Sequence, residues 1–323
     1  SLESLWNPMT MLNVWRIPLL FYVSGMGLYF EMRKRNWKKL ILERSKRILL
    51  PFVFGYFAIA PLHMFIFQKY YNIPLTYYAD SGHLWFLGNI FIYVLLLVPL
   101  FFYLKKHENG SFKKAISKIM SSAIGPVSMS VFFMLEVNLV KPQLFEMYAQ
   151  NWHGFFVGFL AFFFGFLFVY SGNSFWQTVS KWKWLYIGIA SVLYIIRFTG
   201  FESISNMYIT TIESNCWIFG VFGLGFGYLN KPSKLLSYLS QAAYPVYIIH
   251  MIVLYAGALF ILPLQMHPML KFIGITLFTF IVCYLIFEFI LRRIIFLRPL
   301  FGLKWKFSSK EKEVKIISTK NHD

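Results

Sequence analysis

The sequence predicts an all-α fold, a polytopic bundle of transmembrane helices. Three observations predict it. Of 323 residues, 58% are hydrophobic and only 14% charged, with a mean hydropathy of +0.58; a soluble domain of this length carries about 25% charged residues. The apolar residues fall in long runs, each near the ~20 residues that cross a hydrocarbon core. The runs also lack the turn-bounded alternation of outer-membrane barrel strands.

Nine spans follow in order. Val14–Phe30 opens the series, and Ile48–Phe67 comes after a strongly basic loop. Leu84–Leu104 is third, and Ile116–Glu136 is interrupted by Gly125-Pro126 and several serines, which predicts a kink. Then come Trp152–Tyr170, Trp184–Phe198, Tyr208–Leu229, Ala243–Leu262 and Leu270–Phe296. Residues 1–303 form one membrane domain without internal repeats. Residues 304–323 are polar and lysine-rich and read as a disordered cytoplasmic extension.

Charge orients the spans. The segment from Glu31 to Arg47 carries Arg33, Lys34, Arg35, Lys38, Lys39, Arg44, Lys46 and Arg47. Later loops on the same side carry Lys105, Lys106, Lys113 and Lys114, then Lys181 and Lys183, then Lys231 and Lys234. The alternate loops are nearly free of Lys and Arg. The positive-inside rule then puts the C-terminus in the cytoplasm and Ser1 outside. Ser1 to Asn13 shows no signal peptide, so the expectation is a preceding helix, ten spans in all and both termini inside. The net charge of +18 is explained by orientation and anionic lipid, and predicts no nucleic-acid partner. Cys216 and Cys283 lie inside apolar spans and suggest neither a disulfide framework nor a metal site.

Several polar residues could carry chemistry. Arg44 and Arg47, three apart, share a helix face and offer planar donor forks suited to phosphate; as flanks of a cytoplasmic helix end they need no ligand. His83, in Asp80-Ser-Gly-His-Leu-Trp-Phe-Leu-Gly88, sits at the outer start of the third span. A helix N-terminus disfavours imidazolium, and neutral imidazole can take a proton from a hydroxyl. An N-capping role is equally open. Trp85 is an aromatic platform for a sugar ring or a member of the interfacial aromatic belt. Arg16, near the outer end of span one, is either a functional charge or a snorkelling one. Ser24, with Gly25, offers a hydroxyl or a close helix contact. Glu288 has Arg292 four residues on and predicts an ion pair. Glu213 has no near sequence partner and pairs with Arg16 or Arg197, or lines a polar cavity. His250 is a lone histidine in an apolar helix, a hydrogen bonder or a catalyst. There is no Walker A loop, His-Glu-x-x-His motif or Gly-x-Ser-x-Gly elbow.

These segments in this order resemble the membrane acyltransferase 3 family, and within it the glucan biosynthesis protein C group. The carrying segments are Arg16 to Gly25 ending in Phe-Tyr-Val-Ser-Gly, Arg44-Ser-Lys-Arg47 with Pro51, His83-Leu-Trp-Phe-Leu87, and Tyr244-Pro-Val-Tyr-Ile-Ile-His250. The resemblance implies a membrane O-acyltransferase of the bacterial cytoplasmic (inner) membrane. It would move acetyl or succinyl from cytosolic acyl-CoA, a substrate rather than a cofactor, to a hydroxyl of an extracytoplasmic glycan such as a glucan. It implies donor contacts from Arg44 and Arg47. The family's functional histidine usually comes from a first helix that this chain does not contain, and Gly88-Asn-Ile-Phe91 stands where many members carry acidic residues. The expected division of labour has Arg44 and Arg47 on CoA phosphate, His83 or the upstream histidine as base, and Arg16 on the oxyanion. Trp85, Ser24, Glu213 and His250 would bind the acceptor or serve as structural polar groups. The alternative is a polysaccharide or lipid-glycan exporter whose intramembrane polar residues line a path.

Overall fold

The computed structural model describes residues 6–199 and 205–305. Every regular element among them is helical. The order is α1 (Trp6–Asn13), α2 (Arg16–Arg33), α3 (Trp37–Tyr70), α4 (Gly82–Lys106), α5 (Ser111–Met120), α6 (Ile124–Val140), α7 (Trp152–Tyr170), α8 (Asn173–Phe198), α9 (Ser205–Leu224), α10 (Lys234–Ile261) and α11 (Pro268–Leu291). A single 3-10 turn, Arg298–Phe301, follows.

Six of these helices, α3, α4, α7, α8, α10 and α11, are long and apolar enough to cross a membrane, and α5 with α6 makes a seventh if that bent pair is one span. The chain is thus an integral membrane protein of helical type. Compared with the nine expected spans, the bent pair occupies the fourth; its 107° break precedes Gly125-Pro126 by a few residues. The first and seventh expected spans are helical as α2 and α9, but their charged and polar side chains lower their hydropathy. Of the expected disordered extension, 304–323, the residues from 306 onward lie outside the described residues, as does Ser1.

The chain forms two compact units. Unit 1 comprises residues 1–42 and 89–232, and unit 2 comprises residues 43–88 and 233–323. The chain passes from one to the other inside α3, again inside α4 and a third time just before α10.

In unit 1, α2 packs on α7 and α8 packs on α9. Close approach comes from glycine: a Cβ at Gly25 would collide with the Phe162 carbonyl of α7. Small residues at such crossings let backbones meet where lipid offers no hydrophobic drive. Aromatic rings fill the remainder. Tyr22 stacks on Phe168 at 5.4 Å, Phe168 stacks on Phe175 at 4.2 Å, and the Tyr22 hydroxyl donates to Asn215 Oδ1 at 2.7 Å.

In unit 2, α10 packs against both α11 and the second half of α3. Helix α3 is not regular. Two π-turns, Ser45–Leu49 and Gly55–Ile59, interrupt its α-helical hydrogen bonding. Such bulges insert an extra residue in a turn and recur at functional sites. The 3-10 turn after α11 folds back on the start of α3 and on α10.

Candidate active site

Unit 2 gathers polar groups at two places along α10. The first is a histidine cluster. His83 belongs to the 3-10 turn Gly82–Leu84 that opens α4, at the helix start expected from its sequence. Its Nε2 lies 3.1 Å from the Tyr247 carbonyl and 3.2 Å from the Ile248 carbonyl. Carbonyls only accept, so Nε2 carries the proton and Nδ1 keeps the lone pair of a neutral ring. That Nδ1 is buried and has no hydrogen-bond partner among the described residues. The Tyr247 hydroxyl donates back to the His83 carbonyl. The two residues therefore grip each other and fix the imidazole.

His250 joins this cluster, one turn after Tyr247 on α10. Its ring centroid is 5.0 Å from that of His83, and its Nδ1 donates to the Tyr247 carbonyl at 2.6 Å. A third histidine, which sequence reasoning missed, completes it. His63 of α3 is buried, 6.0 Å from His83 and 5.4 Å from Tyr255 by ring centroid. Among the described residues no group of three or more His, Cys, Asp or Glu side chains is arranged to hold a metal ion. Beyond His63, an aromatic cleft of about 200 Å³ is lined by Phe67, Tyr70, Tyr71, Tyr255 and Leu259.

The second place is cationic. Arg47 sits in the first π-turn of α3 and is exposed. It lines a cleft of about 370 Å³ with Ser240, Gln241 and Tyr244 of α10 and with Arg298 and Lys304 of the C-terminal segment. Arg44 does not line the cleft, but the Tyr244 hydroxyl lies within electrostatic reach of both Arg44 and Arg47. That hydroxyl is buried without a hydrogen-bond partner among the described residues. Gly302 lets the far wall close. Its φ of +73° suits glycine, and a Cβ there would collide with the Tyr244 ring. Arg298 and Lys304 read in sequence as ordinary positive-inside charges; Gly302 between them was the available signal.

The two places share one helix. His250 follows Tyr244 by about 9 Å of α-helical rise, so α10 carries Tyr244 at the cationic cleft and Tyr247 and His250 at the histidine cluster.

A family model described as an acyltransferase domain, Acyl_transf_3, matches residues 1–288. The chain belongs to this acyltransferase family. The match takes in the histidine cluster and the α3 and α10 walls of the cationic cleft, but stops short of the Arg298–Phe301 turn and Lys304. No curated protein and no solved structure matches the chain. The protein is an acyltransferase with a helical membrane body.

The remaining candidates of this acyltransferase fall elsewhere. Trp85, half-buried in the first turn of α4, makes an edge contact with Phe86. Arg16 is the exposed first residue of α2 in unit 1. The Ser24 hydroxyl turns back on its own helix, donating to the Leu20 carbonyl at 2.7 Å. Glu213 finds Arg197, not Arg16: Arg197 Nε and a terminal nitrogen donate to its carboxylate at 2.7 and 2.9 Å, and the latter nitrogen also reaches the Thr10 carbonyl. Glu288 accepts from Arg292 at 2.9 Å, as its spacing predicts, and from the Tyr238 hydroxyl. A buried pair that sequence reasoning missed joins Glu136 of α6 to His153 Nδ1 at 2.9 Å, with Nε2 of that ring on the Phe145 carbonyl.

Proposed function

We propose that this acyltransferase moves an acyl group, acetyl or succinyl, from cytosolic acyl-CoA to a hydroxyl of an extracytoplasmic glycan such as a glucan. The observation that carries the reading is the pairing of a cationic cleft with a fixed imidazole lone pair along α10. Arg47, with Arg44 nearby, supplies the fork that grips donor phosphate. His83 Nδ1 takes the proton from the sugar hydroxyl. The alkoxide attacks the thioester carbonyl carbon, the C–S bond breaks, and CoA thiolate leaves with the proton returned by His83.

The aromatic cleft beside His63 suits the acceptor, because ring faces pack on sugar faces while tyrosine hydroxyls reach hydroxyls. Along α3, Arg47 and Tyr70 lie about 35 Å apart, enough to cross the hydrocarbon core of about 30 Å. The Lys/Arg asymmetry of the loops supports a cytoplasmic donor end and C-terminus. A bacterial inner-membrane location fits both substrates.

The test is transfer of labelled acetyl or succinyl from acyl-CoA added to one face of sealed vesicles containing the full-length protein. Label appearing on glucan hydroxyls at the opposite face is expected. Acyl-CoA hydrolysis without glycan labelling, or transfer only to an acceptor on the donor side, overturns the proposal.

A further inference from the structure

The cationic cleft has a wall that the Arg-x-x-Arg segment does not explain. The wall is the C-terminal segment after α11, which lies outside the matched family region. Two features show that it is built into the cleft. Arg298 is 2% exposed, and its guanidinium donates to the Lys304 carbonyl at 2.8 Å and to the Arg292 carbonyl at 2.7 Å. It thereby ties the segment to itself, as a five-donor fork can. Gly302 adopts a left-handed conformation that brings the segment onto the Tyr244 ring and near the Arg47 carbonyl. Just after Gly302, Lys304 is held at the cleft with its side chain exposed. A mobile basic tail serving orientation alone needs neither a buried arginine strut nor a glycine-permitted turn.

The cleft's own chemistry defines its ligand. Arg47, Arg298 and Lys304 surround a space with no carboxylate in its lining, while Ser240 and Gln241 add neutral hydrogen-bonding groups. That set favours a polyanion with several oxygen acceptors. We infer that the C-terminal turn completes the donor site, with Arg298 positioning the turn and Lys304 binding the phosphates of acyl-CoA opposite Arg47. The inference rests on the acyl-CoA reading of the cleft.

The test compares CoA with pantetheine, which keeps the thiol arm and lacks the phosphates, as ligands of the full-length protein in detergent. Lys304→Gln is expected to weaken CoA binding about tenfold, the loss of one charge-assisted phosphate contact. Lys304→Arg is expected to restore most of it, and pantetheine binding should distinguish neither variant from wild type. Gly302→Ala, which displaces the turn, should weaken CoA in the same direction. If Lys304→Gln binds CoA like wild type while Arg44→Lys/Arg47→Lys does not, the donor reading stands and the role of the turn falls. Equal weakening of CoA and pantetheine also overturns it, since that marks collapse of the cleft. Wild type that binds CoA no better than pantetheine removes the donor reading itself.

Discussion

Glu213 in unit 1 and His83 in unit 2 are both polar side chains among apolar helices, and their neighbours treat them differently. Glu213 is fully buried and both of its oxygens accept from Arg197. Glu136 and His153, also in unit 1, satisfy each other in the same manner. In unit 2, His83 is held through one nitrogen and the backbone, and its other nitrogen has no partner among the described residues. Tyr244 likewise keeps a buried hydroxyl without a partner there. A buried polar group normally finds its hydrogen bond. Paired groups such as Glu213 hold helices together, whereas the imidazole of His83 is fixed through one nitrogen and leaves a lone pair on the other, as the proposed base requires. The proposed chemistry sits in unit 2, while unit 1 also holds buried polar atoms without a partner among the described residues, at Asn13, Trp15, Ser130 and Trp217.

Mutations can break this division. The largest effect is expected at the base: His83→Ala should lower acyl transfer by about 10²–10⁴-fold, the usual contribution of a general base, while leaving thermal unfolding in detergent nearly unchanged. Full transfer by that variant would take the role of base away from His83. Next, Arg197→Ala leaves Glu213 buried without its cation. Breaking such a pair costs about 3–5 kcal/mol, so its unfolding midpoint should drop markedly. A normal midpoint with abolished turnover would give unit 1 a chemical role. The double change Arg44→Lys/Arg47→Lys keeps charge and insertion but replaces forks with point charges, and acyl-CoA affinity should fall by about tens-fold. Unchanged affinity would make the two arginines mere membrane flanks. The smallest effect is expected for Glu288→Gln. Gln has the shape of Glu and keeps an oxygen that can accept from Arg292 and Tyr238, so stability should shift by about 1 kcal/mol. A large loss there would show unit 2 to rely on ion pairs as unit 1 does.

Hydropathy made the helices legible, because each apolar run had to bury its backbone polar groups within itself. The Glu288–Arg292 pair was legible because four residues make one helical turn. Arg197 remained one of two candidates for Glu213, since their contact crosses the α8–α9 hairpin and no helical period encodes it. Glu136 read as the end of a span, and its partner His153 lies across a loop. His63 stands in an apolar span as His250 does and was passed over; the packing of α3 on the Gly82–Leu84 turn brings it to His83. Arg298 and Lys304 were indistinguishable from orienting charges, because their role depends on a turn whose sole mark in sequence is Gly302.

The two π-turns of α3 set a rotational phase. In an uninterrupted α-helix, Arg47 and His63 would project about 160° apart, toward opposite sides. Each π-turn absorbs about one residue, and two of them bring the projections to within about 40°. Both side chains then face α10, where Arg47 lines the cleft with Tyr244 and His63 packs against Tyr255. Closing both turns into regular α-helix without removing a residue would keep the span's hydropathy, its flanking charges and nearly its length. It would still turn His63 away from α10 whenever Arg47 faced it.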